Sequence, residues 1–311
     1  MKYVDLKNGL EVSSVCLGAM LFGTTTSKED SYAVLDAFVD MGGNFIDTSN
    51  NYAHWCGTGD ESETLLGEWL RDRGGRDKLV IATKVGFDRK GEGAGLSRKQ
   101  IEYWVDESLR KLRTDYIDLY YAHVDDITVP MEETAEAFHR LVEKGKVRVL
   151  GGSNYDTWRF SEFNAKAEAM GFTPYTAMQQ SFSYLYPRAD MAPRYRFNEP
   201  VTRERLRFLD AKNIPLVAYS CLLKGGYDDP SRMPANYICG SRLDFLKNMA
   251  AEKGITPTEL VVAWLVNLHR AEGFPLVIPL FSSSRVDHFT ANCRAAEIVL
   301  TDSELDALNK A

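Results

Sequence analysis

At 311 residues the chain can bury a large core without disulfides or metals. It has room for two ordinary domains or for one α/β barrel, which needs about 250 residues. A composition of 44% hydrophobic and 26% charged residues excludes a wholly disordered or collagen-like chain. Lys plus Arg number 37 against 44 Asp plus Glu, a formal charge of -7, which argues against broad nucleic-acid binding and leaves room for a small anion held by local cations.

No apolar run approaches the roughly 18 residues of a membrane span, and the charged start Met1 to Val12 lacks the apolar stretch of a signal peptide. A cytoplasmic protein with no membrane partner is expected. The cysteines Cys16, Cys56, Cys221, Cys239 and Cys293 are odd in number, widely spaced and without a C-x-x-C pair, which predicts reduced thiols. His54 and Cys56 form the one close pair of metal-ligand types, so no metal site is expected.

In chain order, Tyr3 to Leu6, an Asn8-Gly9 turn and Leu10 to Val15 predict an N-terminal hairpin. Short, continuously apolar runs then recur, as strands covered on both faces require: Val15 to Leu17, Asn44 to Ile46, Leu79 to Ala82, Tyr116 to Tyr121, Val147 to Leu150, Thr176 to Met178, Leu216 to Ala218 and Leu276 to Ile278. Between them lie helical patterns. One opens at Ser27 and places Leu35, Phe38 and Val39 on one face. Another opens at Ser97 with Gln100 three residues on, a capping box, and carries Ile101, Val105, Leu109 and Leu112. Further amphipathic stretches run over Met131 to Val142, Trp158 to Ala169, Val201 to Ala211, Ser241 to Glu252, Thr258 to His269, Arg285 to Ala296 and Ser303 to Asn309.

Eight such strands alternating with helices predict a single (β/α)8 barrel over residues 1–311, the hairpin closing its bottom; the competing architecture is a doubly wound open sheet. A Rossmann fingerprint is missing after the first strand, and Gly91, Gly93 and Gly95 sit in a polar loop too far from a strand to cradle phosphate.

Polar residues gather where the strands end: Asp47 with Tyr52 five residues on, Lys84, His123, Ser153-Asn154, Gln179-Gln180, Tyr219-Ser220, and Ser282-Ser283-Ser284. In a barrel these ends converge on one mouth. Singly, Asp47 reads as a turn cap, Tyr52 as a packing residue and His123 as a satisfied histidine. Together an acid, a phenol, an ammonium and an imidazole form a proton-transfer site, in which the ammonium favours the phenolate and the imidazole orients a carbonyl.

These motifs resemble the aldo-keto reductase family. Leu17-Gly18-Ala19-Met20-x-Phe22-Gly23 looks like its first strand, and Gly42-Gly43-Asn44-Phe45-Ile46-Asp47-Thr48 followed by Asn51-Tyr52 like its Asp-Thr-x-x-x-Tyr segment. Glu61-Ser62-Glu63-x-x-Leu66-Gly67, Thr83-Lys84-Val85-Gly86, Ser108-Leu109 through Asp118-Leu119 with His123, Lys144 to Arg148 and Gly151-Gly152-Ser153-Asn154 continue the order. The resemblance implies that Tyr52 is the general acid, that Lys84 paired with Asp47 depresses its pKa, and that His123 orients the substrate carbonyl. It implies a nicotinamide cofactor extended across the barrel mouth: Ser153, Asn154 and Gln179 on the carboxamide, Tyr219 stacked on the ring, and Ser220, Leu222 and Lys224 around the pyrophosphate.

At the adenosine end the sequence departs from the family. Aligned on Asn292, Ser282 replaces the usual lysine and His288 the usual arginine, leaving Ser283, Ser284 and Arg285 beside them. Cys221 replaces the usual proline after Tyr219-Ser220. NADP is the expected cofactor, with NAD the alternative. By position the substrate site takes Phe22, His54, Trp55 and Phe87, with the stretches Tyr184 to Phe197 and Tyr227 to Tyr237 beside it; rings among polar neighbours suit a sugar or polyol-type aldehyde or ketone. The expected function is hydride transfer between cofactor and a small carbonyl or alcohol. The alternative is a cofactor-binding sensor or regulatory subunit on the same scaffold.

Overall fold

The computed structural model describes residues 1–7, 9–88, 91, 94–188, 190–191 and 199–311. Asn8 of the predicted turn, Gly93 of the glycine-rich loop, and residues 189 and 192–198 of the expected pocket stretch, Arg194 among them, lie outside the described residues.

After the hairpin strands β1 (Tyr3–Asp5) and β2 (Glu11–Ser13), strands and helices alternate: β3 (Cys16–Gly18), α1 (Lys28–Asp40), β4 (Phe45–Asp47), α2 (Glu61–Arg73), β5 (Val80–Val85), α3 (Arg98–Leu112), β6 (Ile117–Ala122), α4 (Met131–Glu143), β7 (Val147–Ser153), α5 (Thr157–Ala169) and β8 (Tyr175–Ser181). Then follow α6 (Arg203–Ala211), β9 (Leu216–Tyr219), α7 (Ser241–Lys253), α8 (Pro257–Asn267), β10 (Val277–Phe281), α9 (Val286–Ala295) and α10 (Asp302–Lys310). Among the described residues β3 to β10 form a closed parallel barrel in the order β10-β3-β4-β5-β6-β7-β8-β9. This is the (β/α)8 architecture the sequence predicts, and the open doubly wound sheet is set aside.

The chain divides into two compact units. The first holds Leu17–Asp40 and Asn44–Met178. Its strands β5 and β6 are buried along their whole length, which explains their continuous apolarity. The buried Asp118 in β6 has its partners: it accepts from Ile81 N at 3.0 Å and pairs with Arg76 at 2.7 Å and Arg148 at 2.8 Å. The Ser97 capping box forms as expected, Ser97 Oγ accepting from Gln100 N and Gln100 Oε1 from Ser97 N.

Helix α2 leaves no helical stripe in the sequence, because its buried face mixes Ser62, Glu63 and Gly67 with Leu65, Leu66, Trp69 and Leu70. Gly67 marks where α2 and α3 approach: a Cβ there would lie 1.9 Å from Lys111 O.

The second unit holds Met1–Cys16, Met41–Gly43 and Gln179–Ala311. In its hairpin Tyr3 faces Ser13 and Asp5 faces Glu11. Tyr3 Oη donates to Gly42 O at 2.6 Å and Lys7 Nζ to Asn213 O at 2.8 Å, which ties the hairpin to the loops that enter β4 and β9 at their amino ends. Capping boxes at Thr256/Glu259 and Thr301/Glu304 start α8 and α10. Where the sequence predicts one helix to His269, α8 ends at Asn267 and a 3-10 turn, Leu268–Arg270, follows. Asn267 Nδ2 donates to Ala263 O at 2.8 Å and Ile298 O at 2.9 Å there, anchoring the turn.

Gly67→Ala tests the helix approach: overpacking against backbone costs about 1–3 kcal/mol. The urea midpoint should fall with the m-value unchanged, and an unchanged midpoint would show that α2 and α3 can separate freely.

Candidate active site

Asp47, Tyr52, Lys84 and His123 come together in the first unit. Asp47 is the last residue of β4, Lys84 lies one residue before the end of β5, and His123 directly follows β6. Asp47 pairs in register with Ala82, and side chains alternate along a strand, so Lys84 lies on the same face as Ala82, two residues nearer the carboxyl end. Lys84 Nζ donates to Asp47 Oδ1 at 2.5 Å, Thr48 O at 2.7 Å and Tyr52 Oη at 2.5 Å. Three donors meet three acceptors, as a buried ammonium requires. Asp47 and Lys84 are wholly shielded from solvent and Tyr52 is half-buried. Tyr52 Oη donates in turn to Asp47 Oδ1 at 2.9 Å.

His123 is nearly buried, its ring edge-on to Phe87 at 4.5 Å and to Tyr52 at 5.9 Å between centroids. Burial first, and the Lys84 charge second, hold it well below the ordinary imidazole pKa, so the ring is neutral at pH 7. Its Nδ1 lies 3.1 Å from Ser49 Oγ, and Ser49 Oγ donates to Asn51 Oδ1 at 2.9 Å. Asn154 follows β7 in the left-handed region, at φ 57°, which asparagine tolerates better than most residues. Its Nδ2 donates to His123 O at 2.8 Å and Ser153 Oγ at 3.1 Å, tying the ends of β6 and β7 together.

Behind these side chains the polar letters of the motifs pair with one another and with backbone. Thr48 Oγ1 lies 2.7 Å from Ser62 Oγ, and Ser62 Oγ donates to Ala19 O at 2.7 Å, which binds α2 to the ends of β3 and β4. Thr83 Oγ1 donates to Glu63 Oε1 at 2.6 Å. Sequence reasoning missed Ser49 and the Thr48 carbonyl. The available signal was the run Thr48-Ser49-Asn50-Asn51, which reads as an exposed loop yet is buried at every position.

The expected substrate residues differ in exposure. Phe22 is fully buried, Phe87 and His54 are half-buried, and Trp55 is 59% exposed. His54 and Trp55 meet edge-to-face at 5.3 Å, and His54 Nδ1 lies 3.0 Å from Asn51 O.

In the second unit Gln179 is buried in β8, while its neighbour Gln180 donates Nε2 to Glu199 O at 2.6 Å. Tyr219 ends β9, and burial pushes its phenol pKa up. Ser220, Leu223 and Lys224 all adopt left-handed backbone, at φ 56°, 45° and 58°, with Leu222 half-buried between them. Cys221, the residue that replaces proline, donates its thiol to Leu280 O at 3.4 Å and fastens the end of β9 to β10; burial pushes this thiol up to about 12. Ser282, Ser283 and Ser284 follow β10, and Ser283 Oγ accepts from Arg285 N at 3.1 Å. Arg285 pairs bidentately with Asp287, at 3.1 and 2.5 Å, on the surface. His288 and Asn292 lie one turn apart on α9. The two stretches named beside the substrate site meet: Pro187 bridges Tyr237, with Arg188 N donating to Asn236 O at 2.7 Å and Ile238 N to Tyr186 O at 3.0 Å.

A closed parallel barrel with a buried lysine-carboxylate pair against a tyrosine at its strand ends defines a class of oxidoreductase scaffold. The chain belongs to the Aldo/keto reductase family, whose sequence profile matches residues 14–311. It is 31% identical to norsolorinic acid reductase of Emericella nidulans, over 96% of this chain and 77% of that protein. It is 32% identical to aryl-alcohol dehydrogenase [NADP(+)] of Phanerodontia chrysosporium, over 97% of this chain and 83% of that protein. The crystal structure of a thermostable aldo-keto reductase with the inhibitor epalrestat superposes with a TM-score of 0.77 at 27% identity, covering 100% of this chain and 99% of the other.

The neutral His123 generates a stability prediction. Its folded pKa is depressed, so on acidification the unfolded chain takes up a proton before the folded chain does. Stability is therefore lost as pH falls from the unfolded value of about 6.5, at up to about 1.4 kcal/mol per pH unit from this group. In urea titrations across that range, His123→Asn should lose less stability than the wild type; parallel curves would show that the ring titrates normally.

Proposed function

We propose that the protein transfers hydride between a nicotinamide cofactor, NADP first, and a small carbonyl or alcohol, with Tyr52 as general acid and base. The observation that carries this is the Lys84 ammonium, fully engaged by Asp47, Thr48 O and Tyr52 Oη. When the Tyr52 proton passes to a substrate oxygen, the phenolate left behind faces a fixed positive charge at hydrogen-bond distance, so that charge is stabilised without reorganisation. In the alcohol direction the same phenolate accepts the hydroxyl proton. Tyr52 must turn its hydrogen from Asp47 to the substrate, and Asp47 remains satisfied by Lys84. His123 meets the reacting oxygen from the neighbouring strand end.

The bound cofactor supplies or takes the hydride. Ser153, Asn154 and Gln179 would hold its carboxamide and Tyr219 would stack on its ring. The left-handed turn through Ser220, Leu223 and Lys224, with the exposed Lys224 ammonium, suits an anionic pyrophosphate. Ser282, Ser283, Ser284, His288 and Asn292 would take the adenosine end. NAD is the second reading, favoured by the pairing of Arg285 with Asp287, which offsets a cation in the segment expected to meet a 2′-phosphate. For substrate, the name of the aryl-alcohol dehydrogenase relative and the Phe87 and Trp55 rings favour an aryl alcohol or aldehyde over the sugar or polyol that the polar neighbours of Trp55 suggest. Five free cysteines suit a reducing compartment, the cytoplasm.

Titration with NADPH and NADH, followed by aryl aldehydes, keto sugars and polyols, tests this reading. Tyr52→Phe should retain cofactor affinity and lose about 10²–10⁴-fold in kcat. Unchanged turnover in Tyr52→Phe would sink the assignment, and cofactor binding without turnover across the panel would favour the sensor alternative. Asp287→Asn should tighten NADPH severalfold and leave NADH unmoved; equal effects on both would remove Arg285 from the 2′-phosphate site.

A further inference from the structure

We propose that Ser49 and Asn51 are positioning residues that decide which ring nitrogen of His123 carries its proton, and so whether His123 offers the reacting oxygen an acceptor or a donor. This rests on the reading that His123 faces that oxygen. Ser49 has one hydroxyl hydrogen, and it is donated to Asn51 Oδ1 at 2.9 Å. The 3.1 Å contact between Ser49 Oγ and His123 Nδ1 is then donated by the ring. A neutral imidazole has a single N–H, so with Nδ1 protonated Nε2 carries a lone pair.

The three groups are shielded enough for the chain to hold. Ser49 is 0% exposed, Asn51 5% and His123 8%. Water has little access to break the relay, and a buried hydroxyl that loses a partner costs about 1–3 kcal/mol. Among the described residues the ring also meets Phe87 and Tyr52, both edge-on, with the Lys84 ammonium near enough to disfavour a second ring proton. None of them selects a tautomer as a hydrogen-bonded hydroxyl does.

The consequence is chemical. With Nε2 bare, His123 accepts from a substrate hydroxyl and leaves donation to a carbonyl oxygen to Tyr52 alone. Turning the Asn51 amide by half a turn would place its Nδ2 against Ser49 Oγ, send the serine hydrogen to Nδ1 and require the ring proton on Nε2. The acceptor at position 51 is therefore the element that sets the polarity of His123.

Long-range ¹H–¹⁵N correlation spectra of protein labelled in its five histidines read the tautomer directly, with His123→Gln assigning the signal. The wild type at neutral pH should show Nδ1 protonated and Nε2 bare. Ser49→Thr and Asn51→Asp, which keep the hydroxyl and the acceptor, should retain that pattern. Ser49→Ala and Asn51→Leu should move protonation to Nε2 or split it between the two nitrogens. A wild type protonated at Nε2, or an Nδ1 proton that survives both Ser49→Ala and Asn51→Leu, overturns the proposal. Should Ser49→Ala fail to fold, Asn51→Leu against Asn51→Asp decides alone. The spectra need no substrate, so loss of the catalytic reading through Tyr52→Phe kinetics remains distinguishable from failure of the tautomer assignment.

Discussion

The Lys84–Asp47 pair is the constraint on which the site depends. Taking a carboxylate and an ammonium fully out of water costs several kcal/mol per ion, and the loss is offset only when every donor is used in good geometry. Here that geometry comes from the barrel. β4 and β5 must lie side by side, with Asp47 opposite Ala82, for Lys84 to reach the carboxylate, the Thr48 carbonyl and Tyr52 at once. A slip of one residue would turn Lys84 to the other face of its strand and strand both charges. The site therefore tests the register of the fold.

The surrounding polar residues answer to the same constraint. Thr48, Ser62, Thr83 and Glu63 bind the strand ends to α2, while Asn154 binds β7 to the backbone of His123. Thr48, Ser62, Thr83 and Glu63 are buried, so each must be paired, and their pairing fixes loop backbone that would otherwise move. Rigid strand ends then hold the phenol, the ammonium with its carboxylate and the neutral imidazole beside one another.

In the second unit, Ser220, Leu223 and Lys224 hold left-handed backbone although none is glycine, a cost that persists only where the surroundings enforce it. Cys221 supplies part of that enforcement through Leu280 O. The family's usual proline would stiffen the turn through its ring; a buried thiol does so by a hydrogen bond to the next strand.

The eight barrel strands and the Ser97 cap were legible in the sequence, because burial on both faces leaves continuous apolar runs and caps are local chemistry. Asp47, Lys84 and His123 were legible too, since each sits where an apolar strand stops, and Tyr52 follows Asp47 by five residues. Helix α2 was not legible by periodicity, because polar Ser62 and Glu63 occupy its buried face. Nor did the sequence show that Thr48, Ser49, Asn50 and Asn51 are buried, or that Arg285 spends its charge on Asp287. By itself the sequence determined the barrel strands, the Ser97 helix start and which polar residues follow the strands, all properties of short segments. Only the tertiary structure decided the pairing of Lys84, the neutrality of His123 and its link through Ser49 to Asn51. Burial and hydrogen-bond direction depend on which strand ends meet, and residues far apart along the chain settle that together.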